Sequence, residues 1–324
     1  MSTPPLPSPD ELQAAARHLA EGGLVAFPTE TVYGLGARAD DDAAVAGIFA
    51  AKGRPSDHPL IVHLADPADA EHFALPLGDA ARRLAQAFWP GPLTLIVPRR
   101  PGRAGAAAGG QDSIGLRVPS HPVARALLQA ARALGVPGVA APSANRFGRV
   151  SPTTASHVRE EFGNGLMVID GGPCEVGIES TIVDCTRAEP VLLRPGRLDR
   201  PALQAVLGRP LCDRDAQSPR ASGTLEAHYA PRARVRLLDA GALQRAAAGP
   251  LPAGLAVYSR RALPWPSAVV RRPMPDDATE AARELFAALR GFDAAGASQI
   301  WVEEPPCTPE WEGVRDRLQR AAAA

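Results

Sequence analysis

Five polar segments, each beside an apolar run, carry the side chains that could bind and activate a small charged substrate. The first is Pro28-Thr29-Glu30-Thr31-Val32-Tyr33-Gly34-Leu35-Gly36, directly after Leu24–Phe27. Hydroxyls and glycines there let side chain and backbone approach a polar ligand, and strand ends are where open α/β sheets dock ligands. A Gly-rich turn with caps explains the same spacing equally well. The second is Lys52-Gly53-Arg54-Pro55-Ser56-Asp57-His58-Pro59-Leu60, which contains the only lysine of the chain. Two cations on one short loop can neutralise a polyphosphate. They can also be solvated charges that suit a helix C-terminus.

The third segment runs Ala140-Ala141-Pro142-Ser143-Ala144-Asn145 and on to Arg149-Val150-Ser151-Pro152-Thr153. Small residues with Ser and Asn suit backbone contact with a nucleotide. The plainer reading is a strand exit with a helix cap at Ser151 or Thr153. The fourth and fifth are Glu179-Ser180-Thr181-Ile182-Val183-Asp184 and Leu193-Arg194-Pro195-Gly196. His63 and Arg117 lie inside apolar runs, where a charge needs a partner. A buried Arg demands an anion such as a carboxylate. The chain has no G-x-x-x-x-G-K-[ST], no G-x-G-x-x-G after a strand, no H-E-x-x-H and no G-x-S-x-G, so a nucleotide site must be built differently.

The elements that position these residues alternate. Strands are predicted at 24–27, 60–64, 93–97, 114–118, 138–141, 166–170, 181–184 and 191–194. Helices are predicted at about 10–21, 40–52, 78–88, 121–134 and 153–162. Val45, Ile48 and Phe49 share one helical face, Asp40 is a good N-cap, and Gly53 a left-handed stop. Such alternation implies an α/β domain, and the closely spaced last strands make its sheet mixed. Between 208 and 231 periodicity gives way to Pro, Arg, Ser and Gly, as in a linker. Strands at 234–239, 254–258, 267–271 and 299–303, with helices at 276–290 and 308–321, then predict a second, smaller domain. The Pro-rich residues 1–9 are expected to be disordered, and Gly102–Gly110 to be a mobile loop.

Composition narrows the function class. The 324 residues suggest two domains. The 35 basic and 35 acidic residues argue against a general nucleic-acid coat, while a local basic groove leaves weak RNA contact open. No apolar run is long enough to span a bilayer, and the N-terminus lacks the pattern of a signal peptide, so a cytoplasmic protein with no membrane contact is expected. Cys174, Cys185, Cys212 and Cys307 are scattered, without C-x-x-C, and read as reduced structural thiols.

In this order, P-T-E-T-V-Y-G-L-G, K-G-R-P-S-D-H-P-L, G-L-R-V-P, A-P-S-A-N, S-P-T, E-S-T-I-V-D and L-R-P-G resemble the YrdC-like domain of the threonylcarbamoyl-AMP synthases. The match covers about 10–200. Gly223-Thr224-Leu225-Glu226-Ala227-His228-Tyr229-Ala230-Pro231 resembles the linker of that family's long form. The resemblance implies a catalytic domain at 10–207, a linker or lid at 208–231 and a small Rossmann-like α/β domain at 232–324. It implies a large twisted mixed sheet with helices around a deep cavity. The implied reaction joins L-threonine, bicarbonate and ATP into threonylcarbamoyl-AMP and pyrophosphate. Magnesium would enter with ATP, and partner enzymes would pass the group to tRNA.

By motif, Thr31, His63, Arg117, Ala141 and Ser180 would line the threonine site. Lys52, Arg54, His58, Ser113, Ser143, Asn145, Ser151 and Arg194 would surround ATP, with Tyr229 closing over it. No residue is assigned as an acid or base. His58 stands where the family commonly has Asn; its ring can still donate a hydrogen bond. Two other readings are weighed. One is the carbamoyl-adenylate-forming carbamoyltransferase domain of hydrogenase maturation proteins, whose zinc-finger and acylphosphatase segments are not found here. The other is a non-enzymatic RNA-binding module, for which no RNP or KH signature is found.

Overall fold

A computed structural model describes residues 6–324. They form two compact units: one comprises the residues up to Phe147 with Ser151–Thr224, the other Gly148–Val150 with Leu225–Ala324.

The first unit opens with α1 (Pro9–Ala20). Disorder was expected through residue 9, and residues 1–5 of that stretch lie outside the described residues. Ser8 instead caps α1: its hydroxyl accepts from the Glu11 N–H, and the Glu11 carboxylate accepts from the Ser8 N–H at 2.7 Å. This reciprocal box satisfies donors the helix cannot satisfy itself. β1 (Val25–Phe27) and β2 (Gly34–Arg38) follow. β2 was not anticipated, because its glycines read as a turn. They are small for packing: a Cβ on Gly36 would stand 2.7 Å from both Phe27 and Val139.

α2 (Asp42–Lys52) is capped by Asp41, one residue later than expected. It stops at Gly53, whose φ of 62° is the left-handed conformation predicted there. Val45, Ile48 and Phe49 are buried on its inner face. β3 (Ile61–His63), α3 (Asp79–Phe88), β4 (Leu93–Pro98), β5 (Ser113–Arg117), α4 (Pro122–Ala133) and β6 (Val139–Ala140) succeed one another. The Gly102–Gly110 stretch is packed against the body: Ala107 and Ala108 are buried, and the Ala107 carbonyl accepts from the Leu60 N–H at 2.7 Å.

α5 (Ala155–Phe162) is capped by Thr154, not by Ser151 or Thr153. β7 (Met167–Val168), β8 (Thr181–Asp184), β9 (Val191–Arg194), α6 (Arg200–Leu207) and β10 (Cys212–Asp213) complete the unit. α6 was missed, although Asp199 caps it and Gly208 ends it.

Among the described residues ten strands form one sheet, in the order β10-β9-β8-β4-β5-β3-β6-β2-β1-β7. It is mixed: β4 runs parallel to β8 and antiparallel to β5, for example. Side chains alternate across it. One face sends Leu35, Val62, Leu93, Leu95, Val97, Leu116 and Val183 into a core with α2 and α3. On the other face, α1 and α4 cover Val25, Phe27, Val139 and Ala141. Ile61, Ile96 and Ile182 on that same face are covered instead by Cys212 and Ala221, beyond the last helix of the unit. This half of the face carries the polar side chains.

The second unit holds β11 (Arg234–Leu238), α7 (Ala240–Ala247), β12 (Leu255–Ser259), β13 (Val270–Pro273), α8 (Ala278–Ala294), β14 (Gln299–Glu303) and α9 (Glu312–Ala322). α7 was not anticipated, and β13 begins three residues later than expected. Its sheet is all-parallel, ordered β11-β14-β12-β13. Tyr229 is buried here. Its ring stacks on Phe286 at 5.5 Å between centroids, and the Arg317 guanidinium lies 5.2 Å from its centroid.

Candidate active site

Strand register brings His63, Ser113, Arg117 and Arg194 onto one sheet face. His63 pairs with Arg117 across β3 and β5, and with Val139 across β3 and β6. Ser113, Gly115 and Arg117 alternate onto that face of β5. Ser113 is buried at the far end from Arg117, about 13 Å along the strand at 3.3 Å per residue. The face is therefore long enough for two ligand parts end to end.

At one end, Arg117 is the hub. Its Nη2 stands 2.7 Å from Glu30 Oε1, and its Nη1 donates to Thr31 Oγ1 at 2.9 Å. Its Nε donates to the Gly91 carbonyl at 3.3 Å. Glu30 Oε2 accepts from the Ser120 N–H. The Nη2–Oε1 contact is a buried ion pair, in which each charge answers the other. Thr31 Oγ1 also bonds Thr29 Oγ1 at 2.8 Å. His63 lies edge-on to Phe27, with Nδ1 3.2 Å from the Ile61 carbonyl. Burial, and then the Arg117 charge, push its pKa down to about 3, so the ring is neutral at pH 7. The Ala141 N–H donates to the Ile61 carbonyl beside it.

Next along the face, Ser180 Oγ bonds Thr94 Oγ1 at 2.8 Å and accepts from Arg194 Nη2 at 3.1 Å. Arg194 Nε and Nη2 also donate to the Ser180 carbonyl, and its Nη1 donates to the Ser222 carbonyl at 2.8 Å. Ser222 belongs to a stretch that lies against the same unit. Arg220 pairs with Asp57 at 2.8 Å and donates to the Gly109 carbonyl. Its N–H donates to Gln111 Oε1.

The 142–153 segment is held from below. Lys52, itself buried, donates from Nζ to the Ser143 carbonyl at 2.6 Å and to the Asn145 carbonyl. Burial and the nearby Arg54 charge set its pKa well below the usual lysine range. Asn145 Nδ2 donates to the Arg146 carbonyl. Arg54 donates to the Pro59 carbonyl at 3.0 Å and lies 5.7 Å from the Phe147 ring centroid. His58 meets the same ring edge-on, and burial followed by the Arg54 charge lowers its pKa. Ser151 Oγ donates to Glu179 Oε1.

Five residues that contact the predicted ones were not nominated from sequence. Glu30 and Glu179 stood inside quoted motifs and were passed over as acids. Thr29 stood there too. Thr94 is the polar interruption of an apolar strand, a signal that could have been read. Phe147, which Arg54 and His58 share, gave no signal at all. Tyr229 is not in this unit. Among the described residues no group of three or more His, Cys, Asp or Glu side chains could hold a metal ion. None of their helices is long and apolar enough to cross a membrane. The four cysteines are free thiols, and burial raises the Cys174 pKa.

The chain is similar in sequence and fold to known proteins. The family described as "Telomere recombination" matches residues 17–196, and the "Threonylcarbamoyl-AMP synthase, C-terminal domain" matches 198–323. The threonylcarbamoyl-AMP synthase of Bacillus subtilis is 38% identical over 96% of this chain and 93% of its own length. That of Pyrococcus abyssi is 43% identical over 71% of this chain and 68% of its own. A crystal structure of P. abyssi Sua5 complexed with L-threonine superposes with a TM-score of 0.87. It is 36% identical, covering 97% of this chain and 95% of that one. Fold, ordered motifs and both domain matches place the chain in the family of threonylcarbamoyl-AMP synthases, as an enzyme of the two-domain form.

Proposed function

We propose that the chain converts L-threonine, bicarbonate and ATP into threonylcarbamoyl-AMP and pyrophosphate on the β3–β5–β4–β8–β9 face. The observation that carries this reading is Arg117, buried together with Glu30 and Thr31 and in contact with both. A guanidinium fork fits an amino-acid carboxylate bidentately. Glu30 Oε1 and Thr31 can accept from the amine and hydroxyl of the same molecule. His63 and Ala141 would bound its side chain. The P. abyssi relative crystallised with L-threonine supports the same substrate.

ATP would extend from there toward Ser113, with Lys52, Arg54, His58, Ser143, Asn145, Ser151 and Arg194 around it. The threonine amine attacks the carbon of bicarbonate or carbon dioxide; with bicarbonate, water leaves. The carbamate oxygen then forms a bond to the α-phosphorus as the bond to pyrophosphate breaks. The chain's part is to hold reactants in line and to neutralise charge. With no metal-binding cluster among the described residues, magnesium would be held by ATP phosphate oxygens, where it supplies charge neutralisation. Residues 212–222 would keep water from the mixed anhydride. The product would pass to partner enzymes that modify tRNA, in the cytoplasm.

The test is pyrophosphate release by purified protein with ATP, magnesium and bicarbonate, with and without L-threonine. Release that needs both threonine and bicarbonate, with an adenylate of the right mass, is expected. Release indifferent to threonine would overturn the reading.

A further inference from the structure

The second unit contains a cavity that this reaction does not use. Parallel neighbours β12 and β13 are ordinarily bridged by a helix that covers one sheet face. Here the bridge, residues 260–269, contains no helix. α7, through Leu243, shares a core with Trp301 of β14 and Val257 of β12. Leu263, Trp265 and Val269 of the loop join the same core. The loop leaves a cavity of about 490 Å³, lined by Val257, Trp265 and Val269 together with Arg260, Arg261, Arg271 and Arg272. That volume lies within the range of small-molecule sites.

Its position is one where such sheets take ligands. From β12 the chain passes to β13 on one side, then through α8 to β14 on the other. The strand order reverses there, and ligands of open α/β sheets bind beyond the strand ends at such reversals. Ser259, Pro273 and Glu303 are those ends.

The charge is only partly answered. Glu303 Oε2 accepts from the N–H groups of Arg260 and Arg261 at 2.9 and 3.0 Å, and Oε1 lies 3.2 Å from Arg260 Nη2 and 3.6 Å from Arg261 Nε. Glu284 pairs with Arg272 at 3.1 Å. Neither carboxylate lines the cavity, and Arg271 has no ion pair among the described residues. Two buried donors of the wall, Arg260 Nε and Trp265 Nε1, have no hydrogen-bond acceptor among the described residues. Four guanidinium groups answered by two carboxylates, in one cavity with an indole and two valines, fit a ligand with an anionic end and a flat apolar end. Guanidinium forks match phosphate oxygens.

We propose that this cavity is a second nucleotide site, with phosphate on Arg261 and Arg271 and the base against Trp265 and Val269. Arg261 and Arg271 are exposed, so replacing them leaves the packing intact.

Equilibrium dialysis of the full chain against ATP, without threonine, tests the assignment. The wild type should bind two ATP per chain. Arg261→Ser with Arg271→Ser should remove one of these, at least tenfold in affinity, while Lys52→Ala removes the other. Tryptophan emission should respond to ATP in the Lys52 variant and not in the arginine double variant. If the double variant binds ATP as the wild type does, or loses only its affinity for a single-stranded RNA oligonucleotide, the assignment is wrong. Should the catalytic reading alone fail, the wild type would bind one ATP, and the arginine variant none.

Discussion

Arg117 Nη2 and Glu30 Oε1 stand 2.7 Å apart, with side-chain exposures of 4% and 5%. Breaking such a buried pair by removing one partner strands the other charge and costs about 3–5 kcal/mol. Glu30→Gln should therefore lower the melting temperature and raise the KM for threonine, with the KM for ATP unchanged. Arg117→Lys keeps the charge but loses the fork. It should raise the threonine KM by about tenfold or more, equivalent to about 1.4 kcal/mol or more. Steady-state kinetics with threonine varied decide this; an unchanged threonine KM in both variants would remove Arg117 from the substrate site.

Lys52 holds a loop from beneath, through two carbonyl groups. Lys52→Met keeps most of the volume but leaves those carbonyls without their charged donor, at about 1–3 kcal/mol. ATP affinity should fall by about tenfold or more, and thermal stability should fall with it. Loss of ATP binding with an unchanged melting temperature would show that Lys52 acts on phosphate and not on the loop.

His63 makes stability depend on pH. Its folded pKa, about 3, lies below the ordinary value of 6.5. Between those values the unfolded chain binds the extra proton, so stability falls as pH falls. The loss begins near 6.5, proceeds at up to about 1.4 kcal/mol per pH unit, and is complete near 3. Denaturant midpoints from pH 7 to 4 should drop less steeply for His63→Gln than for the wild type. Parallel curves would contradict this.

Gly196 packs against backbone. A Cβ there would lie 2.5 Å from the Thr181 nitrogen and 2.8 Å from the Glu179 carbonyl oxygen. Backbone cannot rotate aside, so Gly196→Ala should displace Glu179–Thr181 and cost about 1–3 kcal/mol. Activity should fall well beyond what the unfolded fraction explains. A variant with wild-type kcat/KM would show that Ser180 does not need its present place.

The sequence by itself determined the alternating α/β pattern, the two domains' elements in outline and the family, because apolar periodicity and ordered motifs are local signals. Gly53 as a helix stop and the inner face of Val45, Ile48 and Phe49 could be read from neighbours in the chain. β2 could not, since its glycines are required by Phe27 and Val139 from other strands, a reason invisible to local propensity. Short α6 and α7 were hidden by Pro- and Gly-rich surroundings, although their aspartate caps were legible. Individual site residues were legible as polar breaks in apolar runs. Their partners were set by how loops and strand ends meet in space: Arg117 to Glu30, Ser180 to Thr94, Ser151 to Glu179. These contacts join residues far beyond the reach of local periodicity, so only the tertiary structure decided which carboxylate answers which charge. The same holds for the arginine-lined cavity, which exists because a loop stands where a helix would ordinarily pack.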